Sequence, residues 1–269
     1  MQIQIQHTTR YVFDADVSYS IQRLCLTPPE FDGQTVTSWS LSFPDAGELI
    51  QFRDGFGNEV HLAVLTQSHR EIRIDVGGIV ETEERHGIVT GLYEPAPARV
   101  YLRHTAQTLP GPEIKALAEA TSGDGIIERL HDLATTIRDR IDYVAGVTDA
   151  HTSAAEALAD GKGVCQDHAH VFVASCRHLG IPARYVTGYL ATIPESGDQS
   201  HHAWGEAWVE GLGWIGFDVA NRLCPDERYV RLACGLDAGY AAPVRGSRRG
   251  GGVEALDVNV VVQQRNAQQ

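Results

Sequence analysis

The sequence predicts an α+β protein in two parts: an all-β, sandwich-like or barrel-like N-terminal domain over residues 1–105, then helices packed on an antiparallel sheet over residues 106–269. Three observations carry this. Strand-like alternation fills the first hundred residues, helical periodicity begins beyond a proline-rich passage, and strand composition returns after an apolar helix that opens on a cysteine. A chain of 269 residues is long enough for two such units.

In the first part, Ile3, Ile5 and His7 alternate with polar residues, and residues 11–13, 36–41 and 59–65 repeat strand-forming composition. Asp54-Gly55-Phe56-Gly57-Asn58 reads as a turn between two such runs. Pro95, Pro97, Pro110, Gly111 and Pro112 then mark residues 95–112 as a linker or boundary. Past it, Ile126, Ile127, Leu130, Leu133, Ile137 and Ile141 recur at three- and four-residue intervals, the stripe of a core-facing helix. Ser153 and Glu156 fit a capping box for a short helix to about Ala159. The helix that opens at Cys165 is expected to run to Leu179 and stop at Gly180. Strands are expected at 183–190, 202–209 and 214–218, the last two joined by the Glu210-Gly211-Leu212-Gly213 turn, with shorter strands at 229–233 and 256–262. The glycine- and arginine-rich residues 246–252 read as a mobile connection.

Composition narrows the function. With 22 basic and 35 acidic residues the net charge is −13, and no Lys/Arg block forms a nucleic-acid stripe. No apolar run is long enough for a membrane helix, and the first residues lack the charged and apolar regions of a signal peptide. Five cysteines, an odd set without a C-x-x-C pair, suit a reducing cytoplasm.

The chemistry concentrates at Gly161-Lys162-Gly163-Val164-Cys165-Gln166-Asp167-His168-Ala169-His170. A glycine-rich lead-in delivers Cys165 to a helix N-terminus, where free N–H groups and the helix dipole favour a thiolate. A thiol nucleophile needs a base and a group that orients the base. His202 begins one strand, and Asp218 ends the strand that a tight turn brings back beside it, so the two are expected at one end of a hairpin. The expected chemistry is acyl transfer on a peptide or protein substrate, with the Cys165 N–H as one oxyanion donor and Tyr143 or Gln166 as candidates for the second. His201 points to the opposite face from His202, with the surface as its default, while His168 and His170 read as surface or packing residues. Cys25, Cys176, Cys224 and Cys234 read as small buried hydrophobes. A metal site from Cys165, His168, His170 and His202 lacks a second matched ligand pair, so no metal or cofactor is expected.

Four stretches then carry a resemblance: Gly163-Val164-Cys165-Gln166-Asp167, residues 180–189, His202-Ala203-Trp204, and Gly213-Trp214-Ile215-Gly216-Phe217-Asp218. In this order they resemble the transglutaminase-like superfamily, whose papain-like core carries a Cys-His-Asp triad. Residues 5–11, the turn at 54–58 and residues 241–246 are similar to bacterial members in which a β-rich domain precedes the core. The resemblance implies Cys165 as nucleophile, His202 as base and Asp218 as orienter. It implies thiol chemistry on peptide or isopeptide amides, with an amine-accepting protein-glutamine gamma-glutamyltransferase or a non-catalytic peptide-binding module as alternatives. Val219-Ala220 stands where the family usually has Pro-Thr, His168 stands where an aromatic is usual, and residues 235–240 depart from a Gly-Arg-Asp-Tyr stretch.

Overall fold

The computed structural model describes residues 1–44, 49–191 and 201–265. The chain opens with β1 (Gln2–Leu24), β2 (Gln34–Ser42), β3 (Ile50–Arg53), β4 (Glu59–Leu65), β5 (His69–Thr82) and β6 (Ile88–Val89). After a 3-10 turn at Ala98–Leu102 come α1 (Pro112–Ala120), α2 (Ile126–Arg140), β7 (Asp142–Tyr143), α3 (Ala154–Asp160), β8 (Lys162–Gly163) and α4 (Cys165–His178). Six strands follow: β9 (Ala183–Leu190), β10 (His201–Val209), β11 (Gly213–Phe217), β12 (Tyr229–Gly235), β13 (Val244–Gly250) and β14 (Glu254–Gln264).

β1 is the spine of the first sheet. Its 23 residues pair on both sides and change partners midway: Gln2 to Val12 pairs with β5 and Ile3 to Phe13 with β14, whereas Ser20 to Leu24 pairs with β4 and Val17 to Leu24 with β13. Register shifts on both sides of Val17 mark the change, as expected where a long strand bends between two sets of neighbours. The alternation read from Ile3, Ile5 and His7 is real, because all three are buried. Their face packs with Ile72, Ile74, Val76 and Val80 of β5 against Tyr189, Val230 and Leu232 of the second sheet.

The second sheet runs β12-β9-β10-β11-β6, and α4 lies across one face of it. Almost every residue of α4 after its first turn is buried, so it is the core helix, flanked by the Leu130, Leu133 and Ile137 face of α2. Gly205 on β10 permits the close approach, since a Cβ there would lie 2.5 Å from Phe172 Cδ1. The Ser153–Glu156 capping box starts α3, and Gly161, in the left-handed region at φ 65°, ends it.

One sequence expectation about the fold needs correction. Residues 246–252 are not a mobile connection: Val244–Gly250 is β13, paired with β1, because its backbone completes the β1 edge, and the glycines at 250–252, all at positive φ, turn the chain into β14. The linker at 95–112 is pinned, with Arg177 of α4 donating to the Tyr101 carbonyl at 2.9 Å and to Thr108 Oγ1 at 2.9 Å. Strand pairing also ties distant parts of the chain together, since Ile88–Val89 extends the second sheet and β13 and β14 pair with β1. Among the described residues no helix is long and apolar enough to cross a membrane.

Candidate active site

Cys165 is placed by the turn before it. Val144 N–H donates to the Gly163 carbonyl, and β7 runs parallel to β8 with Tyr143 beside Gly163, so the strand carrying Tyr143 guides the chain into α4. Asp167, fully buried in the first turn, accepts from Val164 N–H at 2.8 Å and from Thr148 Oγ1 at 2.7 Å through the same oxygen. Only glycine fits at 163, because a Cβ would stand 2.7 Å from both Cβ and Oδ2 of Asp167. Cys165 is therefore the first residue of α4, half-buried, with no helix carbonyl behind its N–H to accept it.

His168 binds the same region from beneath. Its Nδ1 lies 2.8 Å from the Val164 carbonyl and its Nε2 lies 3.1 Å from the Ile141 carbonyl, while its ring stacks on Tyr143. His170 is fully buried and accepts from Ala238 N–H at 3.0 Å. Both histidines are packing residues rather than surface ones, and burial pushes both below the usual imidazole range, His170 to about 4.

His202 and Asp218 do meet. His202 Nε2 donates to Asp218 Oδ2 at 2.6 Å, which leaves Nδ1 as the nitrogen available to Cys165. Burial alone would lower His202, but the bond to Asp218 and then the contact with Cys165 outweigh it and lift the imidazole to about 10. The His202 ring lies stacked near Trp204 and edge-on to Tyr229. Asp218 is itself buried, which works against its charge, yet its hydrogen bonds hold it below the usual carboxylate range. Besides His202, Oδ2 accepts from the Tyr229 hydroxyl at 2.6 Å and from Asn221 Nδ2 at 2.7 Å, and Oδ1 accepts from Asn221 N–H at 3.2 Å.

His201 corrects the expectation of a surface residue. It opens β10 opposite Tyr189 and lies half-buried against His7 and Tyr189, with Nε2 3.1 Å from Thr187 Oγ1, because its face of β10 is covered by the first sheet. Gln166 Nε2 donates to the Asp149 carbonyl at 3.2 Å, so that amide has a structural partner. Cys25, Cys176 and Cys234 are buried as expected, and burial pushes the Cys25 thiol up to about 12; Cys224 is only half-buried. Among the described residues no three His, Cys, Asp or Glu side chains converge as a metal site.

Sequence reasoning missed Tyr229 and Asn221. Tyr229 reaches Asp218 from a different strand, so no local spacing announces it. Asn221 had a weaker signal, being an Asx residue three positions after the carboxylate, where a side chain turns back readily.

A cysteine at the start of a core helix, beside a buried histidine–aspartate pair on an antiparallel sheet, defines a papain-like arrangement of thiol, imidazole and carboxylate. Residues 115–219 match the transglutaminase-like superfamily core, and residues 3–81 match the bacterial transglutaminase-like N-terminal region. The chain belongs to the transglutaminase-like superfamily. It is 30% identical over 273 residues to the uncharacterized protein Mb2599c of Mycobacterium bovis, covering 90% of this chain and 86% of that one. It is 28% identical to the uncharacterized protein ML0607 of Mycobacterium leprae, covering 97% and 98%. Among solved structures it is similar in fold to a candidate cysteine protease from Cytophaga hutchinsonii, with a TM-score of 0.76 at 23% identity, covering 100% of this chain and 92% of that one.

Proposed function

We propose that the protein is a thiol-dependent acyl-transfer enzyme that hydrolyses peptide or isopeptide amide bonds, with Cys165 as nucleophile, His202 as acid and base, and Asp218 as orienter. The observation that carries the reading is the short His202–Asp218 bond placed beside a cysteine at a helix N-terminus. The Cys165 sulfur attacks the carbonyl carbon, the C–N bond breaks, and the departing nitrogen takes the proton held on His202 Nδ1. Water then attacks the thioester, gives a proton to the now neutral His202, and releases the acid and the Cys165 sulfur. In this reading the Cys165 N–H is the first donor to the developing oxyanion, and Tyr143, on the strand beside Gly163, is a candidate for the second. A peptide or protein substrate and a reducing, cytoplasmic setting for the free cysteines belong to the same reading.

The test is incubation with glutamine and lysine peptides, following cleavage, ammonia release and amine incorporation by mass spectrometry. Cleavage or ammonia release that disappears in Cys165→Ala supports the hydrolase. Amine incorporation that outpaces both would instead make the protein an amine-accepting transglutaminase. No acyl-enzyme on Cys165 with any peptide would leave only a binding module.

A further inference from the structure

β12 is an edge of the five-stranded sheet, and an edge strand leaves a row of backbone N–H and C=O groups to be satisfied from outside the sheet. The N-terminal region supplies two side-chain amides for that row. Gln34 Nε2 donates to the Arg231 carbonyl at 2.9 Å while its Oε1 accepts from Arg231 N–H at 2.7 Å. Asn58 repeats the pattern, with Nδ2 donating to the Cys234 carbonyl at 2.7 Å and Oδ1 accepting from Cys234 N–H at 2.8 Å. Each amide thus imitates the two-way exchange that a neighbouring strand would make.

Both amides are built in rather than incidental. Gln34 and Asn58 are 2% and 4% exposed. The remaining amide hydrogens are also placed: Gln34 donates to the Pro29 carbonyl at 2.8 Å, and Asn58 donates to Asp54 Oδ2 at 3.0 Å. Asp54 in turn closes the 54–58 turn by accepting from Phe56 and Asn58 N–H. A third contact from the same region, Thr82 Oγ1 to the Glu227 carbonyl, holds the chain two residues before β12 begins. β12 begins with Tyr229, whose hydroxyl donates to the Asp218 oxygen that accepts from His202.

We propose that Gln34 and Asn58 are positioning residues for the candidate active site: they replace a missing strand at the β12 edge and so hold Tyr229 on Asp218, and Asp218 on His202. The N-terminal sheet is then a working part of the site without touching substrate. The inference rests on the roles proposed for Cys165, His202 and Asp218.

The test uses the full chain and the near-isosteric variants Gln34→Met and Asn58→Leu, with Tyr229→Phe and Val76→Ala as references. Val76 lies in the apolar core shared by the two sheets and makes no hydrogen bond to the β12 edge, so its truncation weakens that packing without removing either amide clamp. The readout is the pH dependence of Cys165 carboxymethylation by iodoacetate, an anion drawn in by the His202 imidazolium, alongside thermal melting. Gln34→Met and Asn58→Leu are each expected to slow labelling at pH 7.5 by roughly tenfold and to move its alkaline limb in the same sense as Tyr229→Phe. In the Tyr229→Phe background each should cost less than about twofold, since members of one chain of contacts are not additive. Val76→Ala should lower the melting temperature and leave the limb in place. If both variants melt early with labelling like wild type, or lose the full factor again in the Tyr229→Phe background, the positioning role is overturned while the proposed function stands. If His202→Ala leaves the limb unchanged, both are overturned. Should Asn58→Leu not fold, Gln34→Met carries the test alone.

Discussion

Replacing Asp218 with asparagine removes the carboxylate that keeps His202 charged, and the size of the effect follows from the site. With the imidazole at about 10, roughly one ring in 300 is neutral at pH 7.5. Without the carboxylate, burial is opposed only by Cys165, and the group is expected to fall to about 6.5 or below. At pH 7.5 at most about one ring in eleven then carries the proton, a loss of at least about tenfold in the form that protonates a leaving amine. The assay is NMR titration of the His202 Cε1–H in histidine-labelled protein, with iodoacetate labelling of Cys165 as the chemical counterpart. The linkage has a defined sign. Because the folded value lies above the unfolded one, His202 contributes stability that is fully present below about pH 6.5 and is lost as pH rises through about 10. Wild type should lose stability across that window, and Asp218→Asn should not show this contribution. A variant whose His202 still titrates near 10 would refute the assignment of the shift to Asp218.

Other perturbations test the frame around the site. Gly163→Ala places a methyl 2.7 Å from Asp167 and should cost about 1–3 kcal/mol in denaturant unfolding and reduce Cys165 labelling. Glu206 is buried between Arg184 and Arg231; burial opposes its charge, but the two guanidiniums hold it down at about 2, so Glu206→Ala should cost about 3–5 kcal/mol by leaving both arginines buried without their shared partner. Burial holds His7, His170 and His201 down at about 4, so the unfolded chain takes up protons on acidification that the folded one refuses; melting temperature should fall as pH drops from about 6.5 toward 4, and His7→Gln should flatten that slope.

The parts of the fold that rest on local pattern could be read from the residues. The Leu130, Leu133 and Ile137 stripe, the Ser153–Glu156 cap and the β10–β11 hairpin depend on neighbours within a few positions, and each lies where its spacing puts it. The approach of His202 to Asp218 was legible for the same reason, since a tight turn fixes which hairpin ends meet. What escaped depends on partners far along the chain. β13 carries arginines and glycines rather than strand-forming side chains, and it is a strand because β1 offers it an edge 227 or so residues earlier, with Val17 opposite Gly250 at one end and Leu24 opposite Val244 at the other. His201 has a surface-like neighbourhood in sequence and becomes half-buried only when β1 brings His7 against it. Tyr229 joins Asp218 across strands of different register, a contact with no period to betray it.

The sharing of β1 between partners from both ends of the chain has a consequence for synthesis. As residues leave the ribosome, β4 and β5 can close one side of β1 early, but the other side has no partner until residues 244–264 have been made. Contacts of such separation close slowly, and an open strand edge invites pairing with other chains while it waits. A nascent chain stalled before residue 244 should therefore already hold Cys165, His202 and Asp218, yet be sticky along β1, which makes the docking of residues 244–264 the step that closes an aggregation-prone intermediate.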